Sequence, residues 1–248
     1  MVKSRIEKLL QKEFYCSNEE LYSKEIVYSI NDIVNVPFIK ILAYRNSVIV
    51  CTSFDLHEDI KKLLKGKNRD EIFELPYVYG QTIHFVPDNN YSIKKVNTPL
   101  EFDFEFVCDE DIKGLFGISG FDNSLSFDEN GNTPAKAVYV ARKNDEIVGV
   151  AGASETSVDA LLEIGVDVMN DYRYAHLATY LVSKLTERLL SEDIVSFYSA
   201  SVTNIGSQMV ASRCGYIPCW IDTYGTTLDG SSVYNEVVKK MNEMLSKR

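Results

Sequence analysis

One stretch of the chain, residues 161–190, combines residue types that could hold an anion. Asn170 and Asp171 can cap a helix whose apolar residues recur at three- and four-residue spacing. The first turn of such a helix presents unpaired backbone N–H groups and the positive end of the helix dipole, and Arg173 adds a positive charge beside it. The pattern therefore predicts a binding site for a phosphate group.

A strand leads directly into this predicted helix. Between Leu161 and Val168 apolar and polar residues alternate, which is the two-residue period of a β-strand. One face would carry Leu162, Ile164, Val166 and Val168, and the other Glu163, Gly165 and Asp167. A glycine inside a strand marks a bulge or a place where a ligand or another backbone comes close, so Gly165 is a first indication of a ligand.

The segments around this strand and helix predict a cleft. Residues 137–142 and 147–153 are apolar and are joined by a short polar turn, which favours an antiparallel hairpin. Residues 194–198 form the next strand, and a strand–helix–strand unit of this length is a right-handed crossover between parallel strands. Ligands of α/β proteins bind at the carboxyl ends of such strands. Asn204 then caps a further helix, which Gly215 ends.

The composition limits the class of protein. At 248 residues and 45% hydrophobic content, the chain can bury one substantial core and a smaller subdomain. The formal charge of −10 argues against nucleic acid as a partner, because neutralising phosphates requires a basic face. The three histidines and five cysteines have no paired spacing, so no metal site is predicted. Since no apolar run approaches the roughly 20 residues that cross a bilayer and no signal peptide is visible, we expect a cytoplasmic protein with reduced cysteines and no membrane partner.

A polar segment with a proline at each end, residues 87–99, is interpreted as a linker. It predicts an N-terminal α/β module of residues 1–95 and a core domain of residues 100–248. Within the module, Ser17 and Glu20 have the spacing of a capping box, which predicts a second helix there. The module is expected either to cover the core domain or to mediate formation of a homodimer.

Three segments resemble motifs of the GNAT superfamily of N-acetyltransferases, and in detail its bacterial two-part branch, in which an N-terminal module precedes the acetyltransferase core. They are residues 148–154 (VGVAGAS), 164–178 (IGVDVMNDYRYAHLA) and 204–216 (NIGSQMVASRCGY). Within the second segment, residues 173–178 are similar to the R/Q-x-x-G-x-G/A pyrophosphate loop of the family. The chain departs from that pattern at His176, which stands where the family has its first glycine.

The resemblance implies an α/β fold with a mixed sheet, namely the acyl-CoA N-acyltransferase fold of this superfamily with an additional N-terminal α/β subdomain. It also implies acetyl-CoA as cosubstrate, and an amine of a small molecule or an amino group of a protein as acceptor. Val166 and Val168 would offer backbone groups to the pantetheine arm. Asn204 would lie near the thioester or the pantetheine, and Ser207 along the same groove. The diphosphate would be held by the backbone N–H groups of Arg173, Tyr174, Ala175, His176, Leu177, Ala178 and Thr179.

These residues also have purely structural interpretations, which the sequence leaves open. Val166 and Val168 could be core residues, Arg173 a solvated charge at a helix start, and Asn204 a helix cap alone.

Two glutamates are candidates for the general base that acetyl transfer to an amine requires. Glu163 shares its strand face with Gly165 and can point into the cleft, although it could instead pair with a neighbouring lysine or arginine. Glu155, on the preceding strand, is the rival candidate. Many members of the family place a tyrosine acid seven residues after the helix asparagine, where this chain has Ala211. Three functions therefore stay open: an acetyl-CoA-dependent N-acetyltransferase, a catalytically silent acyl-CoA-binding module, and a protein-interaction domain in the N-terminal module with a passive core that binds no CoA.

Overall fold

The computed structural model describes residues 2–75, 80–88, 97–173 and 176–227. Contacts between residues divide the chain into two compact units. One unit comprises the residues up to Ile6 together with His84–Pro218, and the other comprises Glu7–Ile83 with the residues from Cys219 onward. The mixed α/β fold predicted from the sequence is confirmed, whereas the domain division at residues 95 and 100 stays a prediction.

The described residues form five α-helices and eleven strands. The helices are α1 (Val2–Phe14), α2 (Phe54–Leu63), α3 (Arg69–Phe73), α4 (Leu177–Ser191) and α5 (Ile205–Arg213). The strands are β1 (Ile26–Asn31), β2 (Phe38–Tyr44), β3 (Ser47–Ser53), β4 (Thr82–Pro87), β5 (Asp103–Cys108), β6 (Ala135–Lys143), β7 (Glu146–Glu155), β8 (Leu161–Val168), β9 (Val195–Ser201), β10 (Tyr216–Asp222) and β11 (Thr226–Thr227). None of these helices has the length and apolar character needed to cross a membrane.

The unit that contains Glu7–Ile83 is organised around β2 and β3, which form an antiparallel hairpin. β1 pairs with β3 in parallel, and the last three residues of β10 pair with β2. One face of this sheet is covered by apolar side chains of α2 and α3 that pack on the hairpin. The buried cluster comprises Ile39, Ile41, Val48, Val50, Ile60, Leu64 and Ile72.

The prediction of a helix after Ser17 is wrong beyond the first turn. The capping box itself forms, since Ser17 N donates to Glu20 Oε2 at 2.7 Å and Glu20 N donates to Ser17 Oγ at 3.2 Å. The helix is a single 3₁₀ turn, Glu20–Tyr22, and the chain then enters β1. The β-branched and aromatic residues of β1 favour a strand and gain a parallel partner in β3, and this long-range pairing outweighs the local start signal.

The unit that contains His84–Pro218 has the strand order β4-β9-β8-β7-β6-β5. β5, β6, β7 and β8 are joined by antiparallel pairings, which include the predicted hairpin of β6 and β7. β8 and β9 are parallel and α4 connects them, so the predicted crossover is confirmed. Leu177 and Leu181 of α4 pack where Gly149 of β7 leaves room for them.

The pairing of β8 with β9 is short. It begins at Leu161 and Val195 and ends at Ile164 and Tyr198, although both strands continue. The second half of β8, residues 165–168, therefore has β7 on one side and no strand partner on the other among the described residues. The two parallel strands diverge at this point and open the sheet.

Candidate active site

A cleft of about 970 Å³ lies where β8 and β9 diverge. Its lining comes from the ends of β8 and β9, the start of α4 and one side of α5. Most of the residues predicted from the sequence to bind a ligand meet in it. They are Glu163, Val166, Val168, Arg173, His176, Leu177, Ala178, Thr179, Asn204 and Ser207. Tyr174 and Ala175 lie outside the described residues, and Glu155 does not line the cleft.

The backbone groups of Val166 and Val168 face the opening between the strands. Met169 N donates to Val148 O at 2.9 Å, and this bond shows which residues of β8 are hydrogen-bonded to β7 and which are not. In an antiparallel ladder, alternate residues direct their N–H and C=O groups to opposite sides. Residues 166 and 168 therefore direct theirs away from β7, toward the side on which β9 has diverged. The edge of β8 is thus available to an extended ligand.

The start of α4 differs from the prediction. Asn170 and Asp171 belong to a separate 3₁₀ turn, Asn170–Tyr172, and do not cap α4. The helix begins at Leu177, and its N-cap is His176, which makes no side-chain capping bond. The N-cap of this 3₁₀ turn is Met169, and the turn also has no side-chain cap bond, so two residues that commonly cap helices did not mark the true start of α4.

His176 has a backbone conformation that suits glycine. Its φ is 56° and its ψ is 13°, the left-handed region that L-residues other than asparagine and aspartate seldom adopt. The residue thus takes the conformation that a glycine takes freely. Its carbonyl accepts from Tyr180 N at 3.0 Å, so the N–H groups of residues 177–179 precede the first helical hydrogen bond and have no partner among the described residues. Residues 177–179 line the cleft, and unpaired N–H groups at a helix start are suited to bind an anion.

Arg173 lies beside this helix start and is exposed. Its Nε donates to the carbonyl of Val168 at 3.3 Å, which ties the side chain to the end of β8. The remaining N–H groups of the guanidinium are available to an anion. Val168 O is already bonded to Arg173. The backbone groups of β8 that remain for a ligand are therefore the N–H and C=O of Val166 and the N–H of Val168.

The opposite wall of the cleft is α5. The side chain of Asn204 accepts a hydrogen bond from Ser207 N at 3.1 Å, so the predicted helix cap is confirmed. The cap uses Oδ1 and leaves Nδ2 for a ligand. Tyr198, which also lines the cleft, is only 2% exposed. Burial raises the pKa of its phenol, and a hydrogen bond with Ser207 acts in the opposite direction.

The two candidate bases have different surroundings. Glu155 forms an ion pair with Lys136 at 3.0 Å, outside the cleft. Glu163 lines the cleft and has no ion-pair partner within the described part of the chain. Its strand neighbours are Ser154 on β7 and Phe197 on β9, so these three side chains share one face of the sheet. The structure favours Glu163 over Glu155 on position, and its catalytic role stays a prediction.

A close approach of another part of the chain explains why residue 165 is a glycine. A Cβ at this position would lie 1.8 Å from the carbonyl oxygen of Asn123, and a Cβ on its strand partner Gly152 would lie 1.7 Å from that of Ser124. The backbone of residues 123–124 therefore lies directly on the two glycines. The approaching group is therefore this segment, and because Gly165 also lines the cleft, a ligand near it stays a prediction.

Asp167 holds the same segment. Its Oδ2 accepts from Asn123 N at 3.0 Å, Ser124 N at 2.9 Å and Ser124 Oγ at 2.9 Å, and its Oδ1 accepts from Asn123 Nδ2 at 2.7 Å. These bonds fix Asn123 at the rim of the cleft, on the face that carries Glu163. No local pattern in the sequence could have found the contact, because Asp167 and Asn123 are 44 residues apart. Within the described residues, no group of three or more His, Cys, Asp or Glu side chains could hold a metal ion.

Comparisons with known proteins identify the family of the chain. The family model of the GNAT acetyltransferases matches residues 83–220. No curated protein matches the chain. Among solved structures, a GCN5-related N-acetyltransferase-like protein from Streptococcus suis 89/1591 is 15% identical, with 90% of this chain and 99% of that chain covered and a TM-score of 0.49.

A protein of Novosphingobium aromaticivorans assigned to the same family as an acetyltransferase is 14% identical, with a TM-score of 0.44. The alignment covers 58% of this chain and 63% of that one, so the chain spans less than two thirds of the length of this relative. A GCN5-related N-acetyltransferase from Sphaerobacter thermophilus is 14% identical, with 62% of this chain and 53% of that chain covered and a TM-score of 0.45. Because the family model matches more than half of its residues, the chain belongs to the GNAT acetyltransferase family.

Proposed function

We propose that the protein transfers the acetyl group of acetyl-CoA to an amino group of a small molecule or of a protein. The observation that carries the proposal is the divergence of β8 and β9 after Ile164 and Tyr198. It opens a cleft that has, within the described part of the chain, a strand edge without a partner on one side and unpaired helix N–H groups at its end. An extended chain with an anionic end group fits both features, and the pantetheine and diphosphate of CoA have this combination.

In this proposal the cosubstrate is held mainly by backbone groups. The pantetheine amides bond to Val166 and to the N–H of Val168, as a peptide does when it adds to a sheet edge. The diphosphate is bound by the N–H groups at the start of α4, with Arg173 as the adjacent positive charge. Backbone recognition does not require a glycine at position 176, because the backbone conformation of His176 is already left-handed.

Glu163 is the proposed general base. The acceptor must be a neutral amine when it attacks the thioester carbonyl, and the carboxylate of Glu163 lies on the cleft with no lysine or arginine to neutralise it among the described residues. A base of this kind contributes a factor of about 10²–10⁴. Positioning of the two reactants contributes more, about 7–11 kcal/mol, and depends on the cleft as a whole.

Replacement of Glu163 by glutamine tests this role. We expect kcat to fall at least about tenfold while the Kd for acetyl-CoA stays within about twofold of the wild type, because the cosubstrate is bound by other groups. Turnover is measured as release of the CoA thiol over a panel that contains an aminoglycoside, a polyamine, an amino acid and a peptide with a free N-terminus. Glu155→Gln is the matched control, since Glu155 is ion-paired outside the cleft and its loss should leave kcat unchanged. A Glu163→Gln protein with wild-type kcat excludes Glu163 as the base.

A second candidate function is a catalytically silent acyl-CoA-binding module. Ala211 favours it, because the residue is fully buried and its methyl group can donate no proton where many family members have a tyrosine. Calorimetric titration with acetyl-CoA and the thiol-release assay separate the two functions. Binding without release of CoA from any amine of the panel would establish the silent module.

A further inference from the structure

A histidine and a serine from different strands meet at the base of the cleft. Ser199 lies on β9, one residue beyond Tyr198, the last β9 residue that pairs with β8. It is half-buried and lines the cleft. Its Oγ is 2.8 Å from Nδ1 of His84, which lies on β4, the neighbour of β9 on its other side. The hydroxyl and the imidazole therefore share a hydrogen bond that ends at the cleft.

The pair lies on the same face of the sheet as Glu163. Side chains alternate along β9, so Ser199 is on the face of Phe197, and Phe197 is directly opposite Glu163. The imidazole of His84 packs against Phe197 on this face, with ring centroids 6.0 Å apart. The cleft thus has the carboxylate of Glu163 on β8 and the hydroxyl of Ser199 on β9, and this hydroxyl is hydrogen-bonded to the imidazole of His84 on β4.

Acetyl transfer requires a proton at a second place besides the amine. When the C–S bond breaks, the thiolate of CoA is a better leaving group if it is protonated as it departs. The position on α5 at which many family members have a tyrosine is the buried methyl group of Ala211. Imidazole is the side chain that most readily gains and loses a proton near neutral pH, and an alkyl thiolate is basic enough to accept one.

We propose that Ser199 and His84 supply this proton, an inference that rests on the proposed acetyl transfer. As the C–S bond breaks, the sulfur keeps its electron pair and takes the proton of Ser199 Oγ. The Oγ regains a proton from Nδ1 of the His84 imidazolium, which becomes neutral. Glu163 takes the proton that the amine nitrogen loses, and both groups return to their starting states by exchange with water. Ser199 is the residue that meets the sulfur, and His84 is the positioning residue behind it.

Four variants test the proposal: Ser199→Ala, His84→Ala, the double variant and His57→Ala. The last is a matched control, because His57 is also half-buried and its Nδ1 lies 3.2 Å from a hydroxyl, that of Thr52, but it belongs to the other unit. Ser199→Ala and His84→Ala should each lower kcat about 100-fold and leave the Kd for acetyl-CoA within about twofold of the wild type. The double variant should be no slower than the slower single variant, because the two residues act as one path. His57→Ala should be unchanged.

Chemical rescue separates proton transfer from a structural role. Imidazole added to the buffer should restore kcat of His84→Ala about tenfold or more, since it can occupy the space beside Ser199 and carry the same proton. It should not restore Ser199→Ala, which lacks the hydroxyl, whereas Ser199→Thr should retain activity. The amine in these assays is the member of the panel with the fastest wild-type release of CoA.

The outcomes distinguish this inference from the function on which it rests. Wild-type turnover together with a Ser199→Ala protein whose kcat is within threefold of wild type would overturn the proton path alone. A 100-fold loss in His84→Ala that imidazole does not reverse would also overturn it, because the residue would then act through packing. If the wild type binds acetyl-CoA and releases no CoA from any amine, the proposed transfer is wrong and the proton path is wrong with it.

Discussion

Replacing Gly152 by alanine would act on the segment of residues 123–124, which carries Asn123 at the rim of the cleft, although Gly152 itself lies outside the cleft. Gly152 does not line the cleft, and an added Cβ would lie 1.7 Å from the carbonyl oxygen of Ser124 and 2.9 Å from its carbonyl carbon. Carbon and oxygen atoms in contact are about 3.3 Å apart or more. The segment would have to rise by about 1.6 Å, because the backbone of β7 is fixed on both sides by strand pairing.

The expected cost is the sum of two effects. Forcing an extra methyl group into a packed site typically costs about 1–3 kcal/mol. Lifting the segment also stretches the bonds from Asn123 N and Ser124 N to Asp167, worth about 0.5–1.5 kcal/mol each. Alanine recovers about 0.4–1 kcal/mol by restricting the unfolded chain. Together these ranges give about 1–6 kcal/mol, so we expect the free energy of unfolding to fall by about 3 kcal/mol, which lowers the Tm by about 6–12 °C in a chain of this size.

Gly149→Ala provides the comparison on the same strand. A Cβ there would meet the ends of Leu181 and Leu177 at 3.0 and 3.2 Å, and these side chains can yield by small rotations. Urea unfolding of the two variants should differ by about 2 kcal/mol or more. Since the segment carries Asn123 at the rim on the face of Glu163, Gly152→Ala should also raise the KM for the amine and leave the Kd for acetyl-CoA nearly unchanged. If Gly152→Ala is as stable as Gly149→Ala to within about 0.5 kcal/mol, the segment is not held as described.

Two substitutions test the ends of the proposed CoA site. His176→Gly should raise the free energy of unfolding by about 0.5–1 kcal/mol, because relief of the left-handed conformation, worth about 1–2 kcal/mol, exceeds the entropy that glycine adds to the unfolded chain. Thermal unfolding measures this gain, with His176→Ala as the control. A loss of stability in His176→Gly would contradict the prediction. Asn204→Ala should cost about 1 kcal/mol through loss of the cap, whereas Asn204→Ser keeps a capping oxygen and should be as stable as the wild type. A lower acetyl-CoA affinity of Asn204→Ser in calorimetry would show that Nδ2 contacts the ligand, and unchanged affinity would mean that Asn204 is a cap alone.

Much of the site could be predicted because it depends on short-range patterns. The alternation along β8, the apolar spacing of α4 and the polar turn between β6 and β7 each determine one element within about ten residues. The parallel pairing of β8 and β9 then follows from the connection between them. The cap at Asn204 is equally local, because it involves only the residue three positions later.

What could not be predicted depends on contacts between distant residues. The reason for Gly165 is the backbone of Asn123, and the partner of Ser199 is His84, 115 positions earlier in the chain. The prediction of where α4 starts was wrong for a different reason. Asn170 and Asp171 are good capping residues, but only the three-dimensional course of the chain determines that the turn they begin ends at Tyr172.

The two departures from the family pattern have different chemical consequences. At His176 the family glycine serves the backbone, and a histidine with φ of 56° preserves the same path and the same N–H groups, so ligand binding need not suffer. At Ala211 the family tyrosine serves the reaction through its own hydroxyl, and a buried methyl group has no substitute for that proton. An enzyme would therefore gain about 10²–10⁴ in rate from a proton donor elsewhere on the cleft, while a silent module needs none. Turnover by the wild type decides between the two functions, and once turnover is found, the activity of Ser199→Ala and His84→Ala shows whether this pair supplies the proton.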